Sequence, residues 1–115
     1  MDLVIALLDW SVKNKVTGHI EYEANVGVLC DKHICFELLQ GVVKLTHTDN
    51  KINNPERYEI YFYIDTSNDL PGSPRLVKQE VLTFVTQLVN IYRKPDIKLI
   101  VHFLFNDDED EINIE

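Results

Sequence analysis

His19, Glu21 and Glu23 alternate with Ile20, Tyr22 and Ala24. An extended strand sets such alternate side chains on one face, about 7 Å from one to the next. A histidine beside two carboxylates could perform general acid–base work or hold a divalent cation. Wet strand faces have this composition routinely, however, and no nucleophile or phosphate cradle lies nearby in the sequence. A charged strand face that meets a partner is the preferred reading over catalysis. A second cluster, Cys30, His33 and Cys35, brings two thiols and an imidazole close together in the sequence. The spacing C-x2-H-x-C is not a familiar zinc pattern, and a second Cys or His pair is missing. Buried thiols beside a surface histidine are expected instead, with Cys35 turned toward the core or the opposite surface. A Cys–His nucleophile built from Cys30 or Cys35 with His47 or His102 is the remaining possibility. Because the segment around His102 is apolar, that residue reads as a core or interface histidine. Glycine-rich phosphate loops and hydrolase motifs are absent, and there are four glycines in all. No catalytic residue, metal or cofactor is assigned, and an enzyme built on His19, Glu21 and Glu23 ranks third among the functional readings.

Binding residues are easier to nominate. Asn106 to Glu115 carries Asp107, Asp108, Glu109, Asp110, Glu111 and Glu115 with no basic residue, which accounts for six of the chain's eight net negative charges. A block of like charges stays solvated and seeks something basic, so it reads as an acidic C-terminal tail over residues 106–115. An alternative is a strap folding back on Arg75, Lys78, Arg93, Lys94 and Lys98, since residues 73 to 105 hold five bases against two acids. Exposed ion pairs stabilise by only about 0–1 kcal/mol each, which gives a flexible tail little reason to dock. A second surface is expected where Glu59, Tyr61, Tyr63 and Asp65 share one side of a strand. Tyrosine supplies rigid amphipathic contact area, and flanking carboxylates suit a cationic partner. Asp69, in the polar loop that follows, completes the nominated set.

The elements that must position these residues follow from periodicity. Asp2 can cap a helix whose stripe is Leu3, Ala6, Leu7 and Trp10; the rival is a buried opening strand over Leu3 to Leu8. Strands are expected around 19–24, over Val26 to Cys30, His33 to Leu39 and Val42 to Thr48, with a hairpin at Cys30 to His33. Asn25 and Gly27 mark a bend or bulge. Asp49 to Pro55 reads as an exposed loop and Tyr58 to Asp65 as a further strand. Ser73 as N-cap, Pro74 at the first helical position and the stripe Val77, Val81, Phe84, Val85, Leu88 and Tyr92 predict a helix over roughly 74–93. Ile97 to Phe105, apolar on both faces, is a final strand in the sheet interior or at an interface. The predicted order is α-β-β-β-β-β-α-β. This is an α+β fold, a single domain over residues 1–105 with a mainly antiparallel sheet of five to six strands and two helices.

Composition bounds the class. With 115 residues, 45% apolar content and eleven aromatics, the chain suits one folded domain. It contains no apolar run long enough to span a membrane, where roughly 18 residues are needed. The first residues lack the basic start and small cleavage-site residues of a secretory signal, and two cysteines are too few for a disulfide framework. A cytoplasmic protein is expected. Its acidity disfavours phosphate backbones, so nucleic acid is an unlikely partner. The leading expectation is a small acidic protein that neutralises a basic protein partner, of the toxin immunity, antitoxin or anti-defence type, opposing a toxin or nuclease-like effector. The runner-up is a self-associating structural or adaptor protein, viral or cellular, that forms homodimers through the apolar strand Ile97 to Phe105.

Overall fold

The computed structural model describes residues 2–27, 29–50, 55–67, 75–93 and 97–114. The order of elements is α1 (Asp2–Lys13), β1 (Thr17–Val26), β2 (Leu29–Leu39), β3 (Val42–Asn50), β4 (Arg57–Ile64), α2 (Lys78–Tyr92), β5 (Lys98–Phe105) and β6 (Asp108–Ile114). The six strands form one sheet in the order β3-β2-β1-β4-β5-β6. Every neighbouring pair is antiparallel except β4 and β5, which run parallel because α2 lies between them in the chain. The expected architecture holds: one α+β domain, two helices, a mostly antiparallel sheet. No described helix is long and apolar enough to cross a membrane.

Alternation along the strands sorts side chains between two faces. Ile20, Tyr22, Ile34, Leu38, Ile60, Phe62, Ile64, Leu99, Val101 and Phe103 point to one side and form the core with Leu3, Val4 and Leu7 of α1 and Val81, Val85 and Val89 of α2. Both helices therefore cover the same face. Trp10 joins them, stacking on Phe84 at 5.3 Å and meeting Phe62 edge-on at 6.2 Å. That the opening segment is a helix follows from its stripe: Leu3, Val4 and Leu7 are buried while Ile5 stays exposed, which a strand buried on both faces would not allow.

Three boundaries differ from expectation. The expected strand Val26 to Cys30 is divided, Val26 ending β1 and Leu29 and Cys30 opening β2, which runs unbroken to Leu39 because Asp31 and Lys32 continue the extended backbone; the reversal falls earlier than expected, at Gly27 with its φ of 57°. A bulge between Ala24 and Asn25 accompanies that turn. Strand β3 runs on to Asn50, shortening the expected loop at 49–55, of which residues 51–54 lie outside the described residues. Helix α2 starts at Lys78, with Val77 at the N-cap position and no side-chain cap; Ser73 and Pro74 lie outside the described residues.

The largest correction concerns the acidic tail. Asp108–Ile114 is a strand that pairs antiparallel with β5, from Phe105 opposite Asp108 to Leu99 opposite Ile114. Two causes outweigh the repulsion within the charge block. Ile112 packs against the core, and Lys78 reaches Asp110 at 2.9 Å and Asp108 at 3.7 Å. Strand β5, apolar on both faces, thereby gains a neighbour on each side and is not a sheet edge. The edges are β3 and β6.

Candidate functional site: the open face of the sheet

With both helices on one side, the other face of the sheet meets no element among the described residues. Across it run Glu37, Cys35 and His33 of β2, His19, Glu21 and Glu23 of β1, Tyr63, Tyr61 and Glu59 of β4, His102 of β5, and Glu109 and Glu111 of β6. The pairings place them side by side: His19 between Glu37 and Tyr63, Glu21 between Cys35 and Tyr61, Glu23 between His33 and Glu59, and His102 between Tyr61 and Glu111. Two clusters nominated separately in the sequence thus form one surface. Bases are sparser here, with Lys44 opposite Glu37 and Arg57 opposite Lys98.

Glu59 organises one half of the face. Its carboxylate accepts hydrogen bonds from Arg57 Nε at 2.6 Å, Tyr61 Oη at 3.0 Å and Asn25 Nδ2 at 3.4 Å, and it lies 3.2 Å from His102 Nε2. Burial alone would raise its pKa; the hydrogen bonds from Arg57, His102 and Tyr61 outweigh that and hold it at about 2. The Tyr61 hydroxyl moves the opposite way, pushed up by burial and by its bond to Glu59, with Glu23 and Glu21 adding repulsion against ionisation. The Tyr61 ring stacks on His102 at 4.4 Å, nearly parallel. His102 is half-buried on this polar face and is not part of the core, and its other nitrogen, Nδ1, lies 3.8 Å from Glu109 and 3.9 Å from Glu111.

The other half is a histidine–carboxylate group. His33 Nε2 is 3.4 Å from Glu21 Oε2, and His19 Nε2 is 3.8 Å from Glu21 Oε1. His19 stacks on Tyr63 at 5.1 Å and His33 lies against His47 at 4.9 Å. Cys35 belongs to this face and not to the core, opposite Glu21 on one side and His47 on the other. The Cys35–His47 pairing was among the nucleophile candidates; His102 sits three strands away in the sheet and does not join it. Of the set Cys30, His33 and Cys35, the side chain of Cys30 lies outside the described residues.

At one end, Thr17, His19, Glu21, Cys35, Glu37, Tyr63 and Asp65 line a shallow groove of about 360 Å³. Asp65 is held there by Ser67, whose N–H and hydroxyl donate to it at 2.9 and 2.6 Å and lower its pKa. A second depression of about 380 Å³ joins Tyr63 and Asp65 to Asn106 and Asp107. Of the residues nominated for binding, Glu59, Tyr61, Tyr63, Asp65, Asp107, Glu109 and Glu111 therefore lie on this face or its rim. Asp108 and Asp110 do not: alternation turns them to the helix side, where they meet Lys78. Asp69 lies outside the described residues. His33 and His102, singled out only for metal or nucleophile chemistry, and Arg57, not singled out at all, also join the face, and the alternation of His33 with Ile34 and of His102 with Val101 and Phe103 was the available signal.

No protein-family model matches the chain, and no curated protein is significantly similar to it in sequence.

Proposed function

We propose that this protein is a small acidic binding protein that neutralises or inhibits a basic protein partner, docking it on the open face of the sheet. The observation that carries this reading is the composition of that face: Glu21, Glu23, Glu37, Glu59, Glu109 and Glu111 interleaved with Tyr61, Tyr63 and four histidines, on a side that neither helix covers. Carboxylates on a fixed β-scaffold present negative charge where a cationic cleft would otherwise hold phosphates, and rigid aromatics supply contact area at little entropic cost. Size is adequate. The molecule measures 45 × 27 × 23 Å, so its broad face exceeds the roughly 800 Å² that one partner contributes to an ordinary interface. A toxin or nuclease-like effector is the proposed partner class, met in the cytoplasm, where a thiol such as Cys35 stays reduced.

The test is an NMR titration of the isotope-labelled full chain with a panel of basic nucleases and toxins. Binding should perturb amides of β1, β4, β5 and β6, and the double substitution Glu21→Lys, Glu111→Lys should abolish it while Asp9→Lys, on α1, does not. Perturbations confined to the helices, or binding indifferent to the double charge reversal, would overturn the proposal.

One observation favours self-association as a second reading, by a different route from that expected. Edge strand β3 exposes Val42 and Leu45, with Leu39 beside them on β2, and an apolar edge invites pairing. Light scattering of the full chain decides: a dimer that Leu45→Lys dissociates supports edge pairing, and a strict monomer at high concentration removes it.

A further inference from the structure

Neither sequence cluster alone supplies a metal site, but tertiary structure takes part of each and joins them. Glu21 and Glu23 come from β1 and His33 from the neighbouring β2, where it stands directly opposite Glu23. One carboxylate oxygen from each glutamate and one ring nitrogen of His33 all lie within 4.8 Å of one another, and His33 Nε2 is 3.4 Å from Glu21 Oε2. A first-row divalent ion with bonds of about 2.0–2.2 Å spaces its ligand atoms roughly 3–3.5 Å apart. The His33–Glu21 edge already meets that spacing. Closing the others takes movements of about 1 Å, which half-exposed glutamate side chains accommodate by rotation about their terminal bonds.

The charge around the group points the same way. Glu21 and Glu23 share one face of one strand, and Glu23 stands opposite Glu59 on β4. Like charges directly opposed across strands are destabilising. Glu59 is compensated by its short contact with Arg57, whereas Glu21 meets imidazoles, His33 at 3.4 Å and His19 at 3.8 Å. A dication would cancel two carboxylate charges at once. The imidazole selects among dications: mixed nitrogen and oxygen donors suit zinc and its transition-metal neighbours, while magnesium and calcium prefer all-oxygen sets.

We propose that Glu21, Glu23 and His33 bind a divalent transition-metal ion, with zinc the best fit, and that His47 supplies a fourth ligand. His47 is exposed on β3 with its ring 4.9 Å from that of His33, and joining the other three ligands requires it to swing across β2 toward the glutamates. Cys35 stands on the same face and is the competing donor to exclude. This inference is independent of the partner reading, since it requires no second protein.

Zinc chloride titrated calorimetrically into chelator-treated full-length protein tests it. One equivalent of Zn²⁺ should bind, and excess Mg²⁺ or Ca²⁺ should not displace it. His33→Ala and Glu21→Gln should each weaken binding by about 100-fold or more, since even loss of an outer-shell partner costs 10–100-fold. Glu23→Gln, nearly isosteric and so safe for the fold, should do the same. Cys35→Ser should leave binding unchanged, and Co²⁺ in place of zinc should show ligand-field bands without a thiolate charge-transfer band. Circular dichroism of each variant separates lost ligation from lost folding. Absence of a stoichiometric site, binding that survives His33→Ala in a folded protein, or binding that follows Cys35 would each overturn the proposal.

Discussion

Glu59 shows how a single carboxylate can serve both stability and surface chemistry. Its side chain is 12% exposed, so it is a mostly buried charge and must be paired to be tolerated. Arg57, Tyr61, His102 and Asn25 do this together. Because its folded pKa of about 2 lies below the ordinary 4.5, its contribution to stability is complete above the ordinary carboxylate range and is lost as pH falls from about 4.5 toward 2. Allowing for solvent screening, this amounts to about 1–2 kcal/mol. Urea unfolding measured between those pH values should show this loss in the wild type and a flatter acid limb in Glu59→Gln. Equal acid sensitivity in the two proteins would mean that the pairing is not what protects the carboxylate. Gly18 is the other decisive residue. A Cβ there would stand 1.9 Å from the Tyr63 carbonyl oxygen in the adjacent strand, at a φ of 156°. Backbone cannot yield as a flexible side chain can, so Gly18→Ala should destabilise by about 3 kcal/mol or more, read as a lowered urea midpoint.

Among the elements, β6 has the widest consequences. It supplies the outer ladder for β5, covers part of the core with Ile112, and turns Glu109 and Glu111 toward the open face. Its hairpin is held at Asn106, which takes the positive φ of 54° and exchanges hydrogen bonds with Thr66 at 3.0 Å in both directions. Removing residues 106–115 would uncover a strand that is apolar on both faces. The truncated chain should lose about 2 kcal/mol or more from the exposed Ile112 contact surface and the unpaired ladder, and should associate at concentrations where the full chain stays dispersed. Chemical denaturation and light scattering measure the two effects. A shortened chain of unchanged stability would return residues 106–115 to the status of a dispensable tail. By contrast, Lys78→Ala removes only ion pairs at a partly exposed site and should cost no more than about 1 kcal/mol.

At the scale of the molecule, the helices divide the surface into two unlike sides. One carries the helix pair, whose outer groove of about 670 Å³ is lined by Ile5, Trp10, Phe84, Leu88 and Tyr92. The other carries the carboxylates, tyrosines and histidines of the sheet. If the acidic face captures a cationic partner, the association rate should fall steeply as ionic strength rises, while the dissociation rate changes less. Stopped-flow measurement at two salt concentrations gives the answer; an association rate indifferent to salt would mean that apolar contacts drive the encounter.

Periodicity alone determined much of this arrangement. The amphipathic stripes of both helices, the alternation at His19 to Ala24 and Tyr58 to Asp65, and the two-sided apolar run before Phe105 were legible because each depends on residues near one another in the chain. The sequence also placed Glu59 with Tyr61 and Tyr63, and Glu21 with Glu23, on shared faces. Which strands are neighbours depends on contacts between distant segments, and only the tertiary structure decided it. Bringing β1 between β2 and β4 set His33 against Glu21 and Glu23, and Glu59 beside them, although the segments lie 10 or more residues apart. The same reason explains the misread tail. Judged locally, Asp107 to Glu111 is a self-repelling block; judged against Lys78, the open edge of β5 and the seat for Ile112, it is a strand, because those partners outweigh the repulsion and none of them lies beside it in the sequence.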